Sequence, residues 1–227
     1  MTPEFNDVFQ PVYRPLTHLG LGPLDCWIKR SAHDWSIAIR RDPEQQVRWV
    51  RDEAAPERSE ELVWQRFPVD KRTARLRIKP CFPARPVVIR PDAPYRILPG
   101  DKVQFFMSVP LGLRIMTDEA QPVVLLQEPS MILSNTWFGD HAEGELAFSL
   151  RTSARRSVEE LDDRRYRITC PVRMKNVSGE LFSFERFCLR VSCLNMYRGA
   201  ARFWANEIGV TYKGPDHISR VAYTDKA

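Results

Sequence analysis

The chain has 227 residues, of which 43% are hydrophobic and 28% charged, and a formal net charge of +5. That suffices for one large all-β core or two small ones, and it excludes a disordered chain. The basic residues are interleaved with acids rather than gathered in a block, so nucleic acid is not the expected partner.

Eighteen prolines against ten glycines cut the chain into short pieces and argue against long helices. Residues 1–23 hold Pro3, Pro11, Pro15 and Pro23 and read as an extended lead-in. Residues 26–30 and 35–40 read as two strands joined by the short polar link 31–34, with Trp35, Ile37 and Ile39 on one face. A turn at 41–44, a strand at 47–51 with Val47 and Trp49 inward, an exposed acidic loop at 52–61 and a short strand at 62–67 follow. At 73–79 the chain alternates, with Leu76 and Ile78 inward and Arg75, Arg77 and Lys79 outward. The proline cluster Pro80, Pro83 and Pro86 marks a boundary between an N-terminal half, 24–80, and a C-terminal sandwich, 81–227.

In the second half, 87–89 is a short apolar strand, and Leu98-Pro99-Gly100-Asp101 suits a type II turn. Residues 103–109 are apolar on both faces and predict a strand covered on both sides. Residues 123–126 predict a buried strand. Residues 152–165 are a charged loop that includes Asp162 and Asp163. Tyr166, Ile168, Cys170, Val172 and Met174 alternate inward, and Asn176-Val177-Ser178-Gly179 turns the chain. A return strand is expected at 182–191, with a bulge at Glu185-Arg186 where the apolar phase slips. Residues 193–205 read as a loop or short helix; Ile208, Val210 and Tyr212 form a strand, and Val221 and Tyr223 a last one.

Many short strands without a βαβ rhythm predict an all-β fold, an antiparallel β-sandwich of immunoglobulin-like kind. The five cysteines, Cys26, Cys81, Cys170, Cys188 and Cys193, form no CxxC, and no histidine lies at zinc-finger spacing. Neither a disulfide framework nor a structural zinc is expected. Cys170 and Cys188 read as small core residues. No apolar run resembles a signal peptide or the ~20 residues of a membrane helix, so a soluble cytoplasmic protein is expected.

The segments PARPVVIRPDAPYRILPGDKVQFFMSVPLGLRI, LSNTWFGDHAEGELAFSL and CPVRMKNVSGELFSFERFCLRV occur in this order, after WIKR and DWSIAI. On these the chain resembles the prokaryotic family DUF432. The resemblance implies no activity, substrate, cofactor or catalytic residue. It implies an accessory role beside a mechanosensitive channel, and so a membrane protein as partner.

The candidate site is the stretch 133–151, where Trp137, Phe138, Asp140, His141, Glu143 and Glu145 crowd together. Its acids and histidine are donors that hard or borderline cations use when three or more converge, leaving the question of a metal open. Glu143 and Glu145 share a side if a strand has already begun there. In the plainest alternative Gly139-Asp140 and Glu143-Gly144 are solvated turn pairs, Trp137 and Phe138 plug the end of the core, and Ser134 and Asn135 hold the turn backbone. No phosphate-loop, dinucleotide, nucleophile-elbow or metalloprotease motif occurs. The leading expectation is a non-enzymatic module acting through protein contacts at this stretch. The alternative is a metal-dependent or carbohydrate-binding enzyme built on it. A third reading uses an outward row of cations, Arg75, Arg77, Arg165, Arg167 and Arg173, against an acidic or phosphate-rich partner.

Overall fold

The computed structural model describes residues 2–3, 7–9, 16–42, 49–52, 61–69, 75–152, 154–161, 166–199, 202–216 and 219–224. Those residues hold twenty-two strands and one 3-10 turn, and no α-helix among them. None of their helices is long and apolar enough to cross a membrane. The all-β expectation is therefore met, with mostly antiparallel sheets.

β1 (Thr2–Pro3) and β2 (Asp7–Phe9) are short edge pieces. β3 (Thr17–Leu21), β4 (Leu24–Arg30), β5 (Asp34–Arg41), β6 (Trp49–Asp52) and β7 (Gln65–Pro68) form a five-stranded sheet in the order β6-β3-β4-β5-β7. The expected β4–β5 hairpin is present, with Trp35 opposite Arg30 and Ile37 opposite Ile28. Both faces of β5 are covered, since Trp35, Ser36, Ile37 and Ala38 are all buried. The facing expected for Val47 and Trp49, residues 53–60 of the expected loop, and the prolines at 11 and 15 lie outside what is described, whereas Asp52, expected in that loop, ends β6.

β8 (Leu76–Cys81) buries Leu76 and Ile78 and turns Arg77 and Lys79 outward, as its alternation predicts. It pairs with β12 (Gly112–Thr117), which also pairs with β13 (Val124–Pro129). Thus the last strand before the proline cluster is held by a strand beyond it. The expectation of a buried strand at 123–126 is corrected. β13 is the outer strand of its sheet; Val123 and Val124 are exposed and Leu126 alone of the four is buried.

β9 (Val87–Arg90) buries Val87, Val88 and Ile89 and is flanked by β15 (Glu145–Arg151) in parallel and β18 (Phe187–Leu189) antiparallel, and β14 (Ser134–Phe138) adds to β15. β10 (Tyr95–Ile97) pairs with β17 (Phe182–Phe184). The type II turn after β10 is present: Asp101 N donates to Leu98 O (3.1 Å), with Gly100 at φ +82°.

β16 (Arg167–Asn176) follows Tyr166, and the predicted inward residues, Tyr166 through Met174, are each 2% exposed or less. Its antiparallel partner is β11 (Lys102–Pro110), however, not the segment after its turn. The chain crosses instead to β10 and β9. The phase slip at Glu185-Arg186 is thus where the return strand breaks into β17 and β18 to meet two different partners. On β11 one phase, Phe105, Met107 and Val109, is fully buried, whereas Val103 and Phe106 are half-buried, so cover on both sides is incomplete.

The expected loop or helix at 193–205 is a 3-10 turn at Val191–Cys193 and then a hairpin of β19 (Met196–Arg198) and β20 (Phe203–Ala205). β20 and β21 (Ile208–Tyr212) lie in succession along the same edge of β16, both parallel to it, and β22 (Arg220–Tyr223) closes that side. Asn206 bridges the break: its side chain accepts from Asn195 N and donates to Thr224 O, both at 2.8 Å. Buried apolar side chains from Leu19 to Val210 form one connected cluster.

Candidate binding surface

The stretch singled out from sequence is the β14–β15 hairpin and its loop, 139–144. Gly139 sits at φ +110°, a conformation that glycine reaches without steric cost. Asp140 then builds the loop. Its carbonyl accepts from Gly144 N (2.7 Å) and Trp137 Nε1 (2.9 Å), and its carboxylate accepts from Ala142 N (2.8 Å). Trp137 lies so close over Gly144 that a Cβ there would come 2.2 Å from Nε1. Asp140 therefore serves the turn, a local bonding pattern common for this residue type.

The strand begins at Glu145, so Glu143 is still in the turn; it and His141 face solvent. Glu145 accepts from Arg190 Nη2 (2.8 Å), with the Cys188 thiol at 3.9 Å. Phe138 is half-buried under the Arg186 guanidinium, 5.6 Å from the ring centre. Among the described residues no three His, Cys, Asp or Glu side chains are placed to hold a metal ion.

Trp137 does not plug the core. It is 48% exposed and stands directly opposite Leu146, itself 44% exposed. Along the same phase of β15, Phe148 is half-buried and Leu150 is 5% exposed. The apolar stripe thus emerges from the core toward the hairpin tip. Leu146 was not singled out from sequence, because alternation fixes its face but not how far the hairpin projects. Asn135, expected to hold the turn, instead accepts from Arg85 Nη1 (3.0 Å) on the same side.

Arg85 links this face to a second feature. Its guanidinium lies 5.5 Å from the Phe148 ring centre, and it also lines a hollow of about 870 Å³. The proline-rich segment 80–86, read from sequence as a boundary, is one wall of that hollow; residues 191–197 form another. Among the described residues its charged lining is cationic, Lys79, Arg85 and Arg114, and Arg114 Nε is fixed on Gln127 (2.9 Å). A cleft lined by one sign of charge concentrates field on an acidic partner.

The outward row of arginines is not a row. Arg75 and Arg77 both pair with Asp118 (3.5 and 2.6 Å), and Arg173 pairs with Glu207 (2.6 Å). Arg165 lies outside the described residues, as do Asp162 and Asp163.

All five cysteines are free thiols. Cys26, Cys81 and Cys170 are buried, and burial pushes the Cys81 thiol up to about 11 and Cys170 to about 12. Cys188 is only half-buried, correcting its assignment to the core; desolvation, then the Glu145 carboxylate, raise it to about 11. A thiolate is the reactive form. A thiol reagent on the native protein at neutral pH is expected to modify the exposed Cys193 first and Cys188 slowly, with the other three released only by denaturant. Rapid modification of Cys26 or Cys170, mapped by mass spectrometry, would contradict this burial.

Comparison with curated proteins and with solved structures gives no match. The model of one family, described as DUF432, protein of unknown function, matches residues 9–227. Nearly the whole of this β-structure, hairpin and hollow included, falls within that match, and the chain belongs to DUF432.

Proposed function

We propose that the chain is a non-enzymatic accessory module that docks on a partner protein through the projecting end of the β14–β15 hairpin. The carrying observation is the exposed Trp137–Leu146 pair, its tryptophan set on a strand that ends its sheet. β14 reads Ser-Asn-Thr-Trp-Phe, with no charge and no proline to discourage a further strand. Proteins usually guard such an edge; one left uncharged suits pairing with an extended segment of another chain. The basic hollow beside it suits acidic residues of the same partner. In this reading an immunoglobulin-like sandwich is the scaffold, the cytoplasm is the compartment, and a membrane channel is the first partner class to try.

Half of a tryptophan is about 100 Å², worth ~2–3 kcal/mol when removed from water. Tagged wild type and variants would be recovered from native membranes and extracts, and the co-purifying protein quantified. Leu146→Asp is expected to lower recovery at least tenfold, as truncating an interface anchor does. Trp137→Ala should do the same, whereas His141→Ala, at the solvated loop tip, should not. A partner recovered equally by Leu146→Asp would count against the proposal.

A further inference from the structure

A second hollow, of about 190 Å³, is built from residues far apart in the chain. Arg151 ends β15, Arg155 follows it, Arg167 opens β16, and Arg202 precedes β20; all four line the hollow. Pairing of β16 with both β11 and β20 brings them together. Ser108 stands opposite Thr169 across the β11–β16 ladder, and Thr169 lies beside Trp204 in the next strand. The hollow therefore has a hydroxyl floor of Ser108, Thr152 and Thr169, the two threonines being 7% and 4% exposed.

The cations and the floor are arranged before any ligand arrives. Arg167 Nη1 donates to Ser108 Oγ (3.3 Å), and Ser108 Oγ is 3.5 Å from Thr152 Oγ1. The side chains of Arg151, Arg155 and Arg202 make no hydrogen bond or ion pair with a described residue, although Asp92 and Glu160 line the same hollow. This contrasts with Arg40, Arg41, Arg66, Arg77, Arg173 and Arg190, each held by a carboxylate. Like charges converging on one hollow repel unless something neutralises them. Among the described residues that line it, four arginines stand against two carboxylates, and Arg167 and Asp92 have further partners of their own.

We propose that this hollow binds a phosphoryl group, free or as the head of a phosphomonoester. Guanidiniums on separate segments can address oxygens that point in different directions, which fits a tetrahedral anion better than a planar carboxylate taken by one arginine fork. Threonine and serine hydroxyls donate to further oxygens. The carboxylates at the lining can accept a hydrogen bond from the hydroxyl that a hydrogen phosphate carries and sulfate lacks. The site is distinct from the hairpin face, so its fate does not decide the docking proposal.

The test is calorimetric titration of the full chain with inorganic phosphate and, separately, phenyl phosphate, at constant ionic strength set by chloride. Saturable binding is expected for at least one. The arms separate the sources: binding of phosphate alone assigns a free anion, and binding of phenyl phosphate alone assigns an ester head. Arg155→Ala and Arg202→Ala are expected to weaken binding at least tenfold each, the scale of a charge-assisted hydrogen bond. Thermal denaturation without ligand would show both variants folded. No saturable binding of either compound by the wild type, or equal binding by both folded variants, would overturn the proposal.

Discussion

Replacing Asn176 with Ala is expected to destabilise the protein by about 3 kcal/mol, because several buried groups lose their partners at once. Asn176 is fully buried. Its Nδ2 donates to Ile97 O (3.0 Å) and Glu180 O (2.7 Å), and its Oδ1 accepts from Ser178 N (3.0 Å) and Ser178 Oγ (2.7 Å). Its backbone also exchanges bonds with the type II turn: Asn176 N donates to Asp101 O and accepts from Gly100 N at its own carbonyl, both 3.0 Å. One side chain thus ties the end of β16 to the end of β10 and holds the turn that leads from β16 to β17. For a chain of this length such a loss lowers Tm by roughly 6–12 °C. Asn176→Asp separates donation from shape. It keeps the acceptor but points carboxylate oxygen at two carbonyls, so the protonated form is favoured in the fold. Its penalty should therefore be smallest at low pH and grow as pH rises past about 4, the ordinary Asp value. Urea denaturation over pH 3–7 checks both variants. A loss near zero for Asn176→Ala would mean that the bonding pattern carries no stability. The burial also explains why Asn176-Val177-Ser178, a glycosylation triplet by sequence, is no acceptor in the folded chain.

Gly22→Ala is expected to cost about 2–4 kcal/mol, combining a disfavoured backbone with overpacking. Gly22 is the first central residue of the two-residue link between β3 and β4, at φ +60°, followed by Pro23. A Cβ would lie 2.4 Å from Tyr166 Cγ, and Tyr166 is 2% exposed with nowhere to retreat. The N-terminal sheet and the central strand β16 meet at this contact. Gly100→Ala supplies the comparison, since it sits at φ +82° with nothing within 4 Å of its Cβ. It should show the backbone cost alone, about 1–2 kcal/mol. Equal losses from the two substitutions, measured by equilibrium unfolding, would show that the Gly22–Tyr166 approach does not constrain the fold.

The residues most faithfully read from sequence are those whose environment has period two. Tyr166 to Met174 and Leu76 with Ile78 face inward because one side of each strand meets the core. The Pro99-Gly100 turn was legible because only glycine reaches φ +82° easily there. Strand partners beyond the β4–β5 hairpin were not legible. Alternation states which side chains point inward but not which strand supplies the hydrogen bonds, so β16 looked like half of a hairpin although Asn176 steers the chain to β10. Val123 and Val124 misled for a related reason, since an outer strand can be apolar without being covered.

The candidate site was legible as a turn and a projecting tryptophan. Of its acids, Asp140 bonds within the loop and Glu145 with Arg190. Leu146 and Arg85 complete the face but carry no local motif. The arginines of the smaller hollow are separated by up to 51 positions, from Arg151 to Arg202, and only the β11–β16–β20 pairing assembles them.

Hydrogen exchange on the complex with the co-purified partner tests the docking claim most directly. The outward amides of β14, at residues 134–138, are predicted to slow markedly on binding, together with the amides around Leu146, while the sheet around β22 keeps its free-state rates. Unchanged exchange across 134–146 in a fully formed complex would contradict it.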